Sequence, residues 1–420
     1  MSTASLAYAR ARPMRPIAFS DVASFLIPCL LFAELDGIGR LFFAEIALLG
    51  LLPFLLVRAR PAGLPPVPAT FVLLCLLWLW AQVTTDIFRM TPPDDFLRGW
   101  SKIAVTLANF VALYLLLENR PRRLMLFGAG LAAGLALDFL LSPSAYAAGD
   151  PWKFGIGFPL TLALVLVATR VTSRPWLPPV ILLFAAALNL ERGYRSLSGT
   201  CFLAAVCVAL YAIVGRRSLT ERPLRRAPVL GLALIGVVST VLFVDFYADL
   251  AQRGSLGAAA QLKYQRQGSS GLGIFLDGRV ELRAAARAIK DSPLIGHGSW
   301  AKDPRYYQSL LDDYARLGTA PSVLLRNTGL IPTHSHLLGA WVEAGVAGIA
   351  VWLWVLWLVG CALANGAAAG RLAPLVAFTG TALAWDVLFS PFGAERRMLT
   401  PFYVIVLLAA VHSSKRAERP

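Results

Sequence analysis

Thr333-His334-Ser335-His336-Leu337-Leu338-Gly339-Ala340-Trp341-Val342-Glu343-Ala344-Gly345-Val346-Ala347-Gly348 joins a long polar segment to an apolar run that continues to about residue 364. His334 and His336 therefore sit where water meets hydrocarbon, at the N-terminal end of an expected membrane helix. There the helix dipole disfavours the imidazolium form, so either ring could accept a proton. The two lack the i, i+4 spacing of a helical metal pair, and no metal site is expected. Glu343 lies about 13 Å further along a continuous helix at about 1.5 Å per residue. A carboxylate that deep is expected to face protein or a wet cavity. Ala340, Ala344 and Gly348 recur every four residues, which predicts a ridge that another backbone can approach closely.

Arginine is the second chemistry-bearing type. Arg192 and Arg195 close one hairpin, and Arg396 and Arg397 sit in a late turn. Arg253, Lys263, Arg266, Arg279, Arg283, Arg287, Lys290, Lys302, Arg305, Arg316 and Arg326 populate the long segment ahead of the histidines. So many cations beside an apolar boundary point to a polyanion, whether a substrate or anionic headgroups.

The elements that position these residues follow from composition. Of 420 residues, 57% are hydrophobic and 15% charged, with a mean hydropathy of +0.64, too apolar for a soluble domain of this length. The apolar runs predict an all-α polytopic membrane protein of about 12 spans. They fall near residues 17–34, 39–57, 69–87, 102–117, 124–141, 154–168, 176–190, 197–214, 229–246, 334–364, 373–389 and 399–411. This divides the chain into a membrane region at 1–248, an outer loop at 249–333 and a closing membrane region at 334–420. Residues 1–16 are basic and lack a cleavage-site pattern, so they read as a tail. Cys29, Cys75, Cys201, Cys207 and Cys361 all fall in apolar runs without ligand or disulfide spacing.

With twelve spans both termini share a side. That side carries Arg10, Arg12, Arg15, Arg58, Arg60, Arg120, Arg122, Arg123, Arg216, Arg217 and Lys415 among others, and reads as cytoplasmic. The long loop then lies outside, in the periplasm of a Gram-negative host. Within it Asp277 is expected to cap a helix running to about Asp291 and stopping before Pro293, with Arg279, Arg283 and Arg287 as a basic stripe. Asp303-Pro304 starts a second helix, with Tyr307, Leu310, Leu311, Tyr314 and Leu317 as its apolar face. The two are expected to lie on the membrane domain as a lid.

Three motifs, in order and on the outer side, resemble the O-antigen ligase and polymerase superfamily. The first is the His-Ser-x9-Gly-x2-Gly spacing of His334, Ser335, Gly345 and Gly348. The second is Gly278-Arg279-x2-Leu282 leading to Ile289-Lys290-Asp291-Ser292-Pro293-Leu294-Ile295-Gly296-His297-Gly298. The third is Arg192-Gly193-Tyr194-Arg195-Ser196-Leu197 at the head of a span. The covered region is about 192–358. Before it, the chain is similar to the family in hydropathy only.

The resemblance implies a GT-C-like inner-membrane glycosyltransferase with an outer active site, working without metal, cofactor or nucleic acid. It implies a glycan donor on undecaprenyl pyrophosphate and a lipid A–core sugar as acceptor, with membrane lipids around both. It assigns the base to His334, with His336 as second choice. It assigns the pyrophosphate to Arg195 and Arg279, followed by Arg192 and Arg266, because guanidinium offers bidentate permanent donors where leaving-group charge grows. An O-antigen polymerase and a protein O-oligosaccharyltransferase remain as alternatives of the same kind. Twelve spans and outer arginines also fit a lipid-linked sugar transporter, although Asp138, Glu343 and Asp386 show no repeat symmetry.

Overall fold

A computed structural model describes residues 18–37, 39–59, 66–118, 120–171, 174–214, 246–255, 257, 261, 281–316 and 329–417. The expected ninth span, Arg266, Arg279 and the Asp277 cap lie outside the described residues.

Helix α1 (Phe19–Cys29) leads into a hairpin of β1 (Glu34–Asp36) and β2 (Arg40–Phe42), which pairs Leu35 with Leu41 where a bare turn was expected. Helices α2 (Phe43–Ala59), α3 (Pro66–Arg89), α4 (Pro93–Leu117) and α5 (Pro121–Leu141) follow. Pro93 and Pro121 open α4 and α5, since proline gives up only an N–H that a first turn leaves unpaired anyway. After α6 (Ala145–Gly149), a single wide turn at Trp152–Ile156 precedes α7 (Gly157–Arg170), which starts three residues later than hydropathy suggested. Helices α8 (Leu177–Glu191) and α9 (Arg195–Val214) complete the first half.

The second half holds α10 (Glu281–Asp291), α11 (Pro304–Arg316), α12 (His336–Gly348), α13 (Ala350–Ala364), α14 (Ala373–Phe389) and α15 (Arg396–Ala417). Helices α14 and α15 form the centre of the bundle, and Phe378, Phe402, Val404, Ile405 and Leu408 are all fully buried. Among the described residues six helices are long and apolar enough to cross a membrane, or seven when α12 and α13 count as one bent span. Phe19–Phe32 and Leu177–Glu191 are apolar but shorter. Among the described residues the chain is helical apart from one small hairpin, and it is a multi-pass membrane protein.

One expectation is corrected. The apolar run after His334 is not one straight helix: α12 and α13 are bent by 108°. Gly345 (φ 67°, ψ −164°) breaks α12, and a Cβ at Gly348 would lie 2.6 Å from the Ala340 carbonyl oxygen. In a straight helix those residues would stand about 12 Å apart at 1.5 Å per residue. At Gly348 and Ala340 the small-residue ridge lets the chain fold back closely on itself.

Candidate active site

Ser335 organises the histidine motif. It caps α12: its Oγ accepts the Leu338 N–H at 3.1 Å and donates to the Val387 carbonyl at 2.8 Å, tying α12 to the end of α14. His336 is then the first helical residue, and His334 stands one residue before the cap rather than inside the helix as expected. His334 is half-buried. His336 is 1% exposed, with its ring edge-on to Trp352 at 5.0 Å and Phe392 at 4.9 Å. Its Nδ1 lies 2.6 Å from the Ser390 carbonyl oxygen. A carbonyl can only accept, so Nδ1 carries the proton and Nε2 keeps its lone pair. That Nε2 is buried without a hydrogen-bond partner among the described residues. Substrate can reach His336 only if Trp352 or Phe392 moves.

Beside it stands an ion pair that the sequence reading passed over. Asp386, near the end of α14, holds the Arg396 guanidinium at the start of α15. Asp386 is buried, while the Arg396 side chain keeps a quarter of its surface exposed. Both charges act on Tyr194, whose burial pushes its phenol up to about 12. His336 is within electrostatic reach of Arg396 too. The signal available in sequence was the pair Arg396-Arg397 following a Pro-Phe-Gly turn. Arg397 is bound instead by buried Glu45 at 2.7 Å, so only the first of the two faces the site.

The hairpin arginines reach the same end of the bundle. Thr381 of α14 donates to the Thr200 carbonyl of α9 at 3.1 Å, and the two helices run oppositely. Arg195 and Asp386 each lie five residues from that contact, so they stand at one level. Arg195 sits over the Tyr247 ring at 5.1 Å and Arg192 over Trp152 at 5.5 Å. Cation–π placement orients a guanidinium without neutralising it.

The bend in α12 is completed by a strap, Leu294 to Ser299. The break at Gly345 frees two helical carbonyls, and His297 N–H donates to Val342 O at 2.7 Å while Gly298 N–H donates to Glu343 O at 3.1 Å. The strap is held in turn by α3. Thr85 donates to Ile295 O at 2.5 Å, Arg89 donates to Gly296 O at 2.9 Å, and Asp86 accepts from Ser299 N–H and Oγ–H at 2.6 Å each. The motif before the histidines and the motif containing them are thus one packed unit. His297, expected as a loop filler, places Nε2 2.8 Å from Ala288 O and its ring against Tyr306.

Glu343, as expected, faces protein: Lys102 of α4 reaches it at 2.5 Å, with side chains 16% and 18% exposed. Breaking such a pair leaves one charge uncompensated, so Lys102→Met is expected to cost about 3 kcal/mol. Adding Glu343→Gln should recover part of that loss. Thermal unfolding of the two variants in detergent checks it, and equal melting of single and double variants would contradict the coupling.

Helices α10 and α11, expected as a lid, pack through Ala285, Ala288 and Tyr306 on Ile331 and on Val342 of α12. Helix α10 ends at Asp291, before Pro293, as expected. Helix α11 buries more than its expected face: Leu310 is buried with Tyr307 and Tyr314 packed beside it, and Tyr306 and Asp313 are buried as well. The cause is double contact. Leu310 packs on Ala284, and Tyr306 packs with Ala288, Ile331 and Val342 beneath. Asp313 is drawn in because Arg287 pairs with it at 2.9 Å.

Comparison with protein families gives one match. Residues 179–353 are similar to a family described as O-antigen ligase. The match runs from α8 to the first turn of α13, so it carries Arg192, Arg195, the strap, both histidines and Glu343. No curated protein sequence matches the chain. Lys102, Asp386 and Arg396 lie outside the O-antigen ligase match, on flanking helices, and pair with Glu343, Arg396 and Asp386 respectively.

Proposed function

We propose that this protein is an inner-membrane glycosyltransferase that moves O-antigen polysaccharide from undecaprenyl pyrophosphate to a sugar hydroxyl of lipid A–core oligosaccharide. His334 takes the proton of the acceptor hydroxyl as its oxygen bonds to the anomeric carbon. The bond from that carbon to the pyrophosphate oxygen breaks in the same displacement, with inversion. Arg192 and Arg195 receive the leaving pyrophosphate, with Arg266 and Arg279 in the same role from the outer loop. Arg396 joins them, held in place by Asp386. Preorganised cations of this kind stabilise charge that grows only in the transition state.

The observation that carries the reading is the convergence, at one end of the family-matched bundle, of half-buried His334 with the Arg195 and Asp386–Arg396 level. His334 is preferred to His336 as base because His336 is sealed between Trp352 and Phe392. Complementation tests it. Expression in a ligase-null Gram-negative strain of matched core type is expected to restore the O-antigen ladder on lipid A–core. Rescue of a polymerase-null strain alone would replace ligation by polymerisation.

A further inference from the structure

We propose that the cleft between the lid helices, lined by Arg287, Lys290, Asp291, Arg305, Tyr306 and Ser309, is a binding subsite for a negatively charged sugar, a pyranose bearing phosphate or carboxylate. The cleft encloses about 320 Å³, at the lower end of the ligand-pocket range of about 300–1,000 Å³.

Its cations are arranged before any ligand arrives. Asp313 and Ser309 orient the Arg287 guanidinium. Asp303 grips Arg305 through two nitrogens, at 2.7 and 3.1 Å. Lys290 is exposed, shares the cleft with both guanidiniums, and forms no hydrogen bond or ion pair among the described residues. With each guanidinium already paired to a carboxylate, Lys290 is the cation whose charge is left for an anion, and the two guanidiniums offer their remaining N–H groups beside it.

The remaining groups distinguish a sugar from a bare anion. Asp291 would repel free phosphate, whereas its carboxylate can accept sugar hydroxyls. One of its oxygens already accepts the Tyr306 hydroxyl at 2.6 Å and is fixed by it. Burial and Asp291 push that phenol up to about 12, so it remains a neutral donor. Ser309 adds another hydroxyl at the rim.

Position links the cleft to the chemistry. Tyr306 packs on Ile331, which is three residues before His334 and so at most about 11 Å away along extended chain. A glycan seated in the cleft by one acidic sugar can present a neighbouring hydroxyl to His334. This role rests on the proposed ligase function, and the anionic sugar could belong to the acceptor core or to the donor glycan.

The test uses the full chain in lipid nanodiscs, wild type and Lys290→Glu, because Lys290 supports no contact that folding needs. One arm measures transfer kinetics with an acidic acceptor and with its dephosphorylated, decarboxylated form. Lys290→Glu is expected to raise the acceptor KM about tenfold, the scale of one charge-assisted hydrogen bond. The turnover and donor KM should stay unchanged, and the variant and wild type should converge on the neutral acceptor. A rise in donor KM instead supports the subsite and assigns the acidic sugar to the donor. No change in either KM, with wild type active, overturns it.

The second arm needs no ligase activity. Binding of mannose 6-phosphate, mannose and inorganic phosphate is followed by calorimetry. Saturable binding of the sugar phosphate alone, weakened by Lys290→Glu, supports the subsite even where wild type transfers nothing, in which case only the ligase reading fails. Equal binding of inorganic phosphate, or none of any probe, overturns it.

Discussion

His334→Ala is expected to lower O-antigen transfer by about 10²- to 10⁴-fold, the usual contribution of a positioned general base. On a gel of lipid A–core the ladder restored by wild type should disappear at equal expression. Because His334 stands outside the Ser335 cap and is half-buried, the melting temperature should hardly move. His336→Ala should behave differently. It removes the tie to Ser390 O and empties the space between Trp352 and Phe392. Stability and activity should then fall together. A ladder that survives His334→Ala would make that residue structural and transfer the base assignment to His336, by way of a motion that opens its aromatic enclosure.

Gly345→Ala is the second large effect expected. A φ of 67° with ψ of −164° is open essentially to glycine alone. A Cβ there would stand 2.0 Å from the Leu294 carbonyl oxygen, which is backbone and cannot swing aside. The strap must shift, and the Val342 and Glu343 carbonyls lose the His297 and Gly298 N–H donors. Backbone strain of about 1–3 kcal/mol combines with about 1–3 kcal/mol for each buried polar group left unpaired. A loss of about 3–5 kcal/mol is expected, together with loss of transfer. Gly370→Ala is the control. It also has positive φ, at 55° with ψ −118°, but nothing lies within 4 Å of its Cβ position, so it should cost only its own backbone strain, about 1–3 kcal/mol. Similar unfolding midpoints for the two variants would mean that the strap does not clamp the bend.

The two effects separate what each motif contributes. The His-Ser end of α12 bears the base of the proposed reaction. The glycine at position 345 fixes the strap and, through Pro293 and α10, the lid above. Trp341 adds to this link by donating from Nε1 to the Pro293 carbonyl at 2.8 Å. Helix α10 is therefore tied through the strap to the helix that starts at the histidines.

Much of this was legible in the residues taken singly. Apolar runs predicted α3 to α5, α8, α9 and α14, because burying backbone in hydrocarbon leaves a helix as the only local solution. For α14 even the bounds agree, at Ala373–Phe389. The order of three short motifs was enough to point to the O-antigen ligase family that residues 179–353 match. Asp303 and Pro304 marked the start of α11, and Asp303 Oδ1 does accept the Arg305 N–H at 2.9 Å.

What tertiary structure alone decided was every partnership across the chain. The bend after Gly345 is invisible to hydropathy, which averages over a window. The bend exists because the strap, some fifty residues upstream, supplies the donors that a straight helix would have supplied itself. The added burial of Tyr306 on α11 came from Ile331 and Val342 lying beneath it, and amphipathic periodicity cannot say which further residues a neighbour will cover. Lys102 with Glu343, Glu45 with Arg397 and Asp386 with Arg396 each cancel a burial cost only when helices from distant segments come together. Charge by itself, read along the chain, could mark Arg396 and Arg397 as a pair. Only the packed bundle made one a structural clip and left the other facing the site.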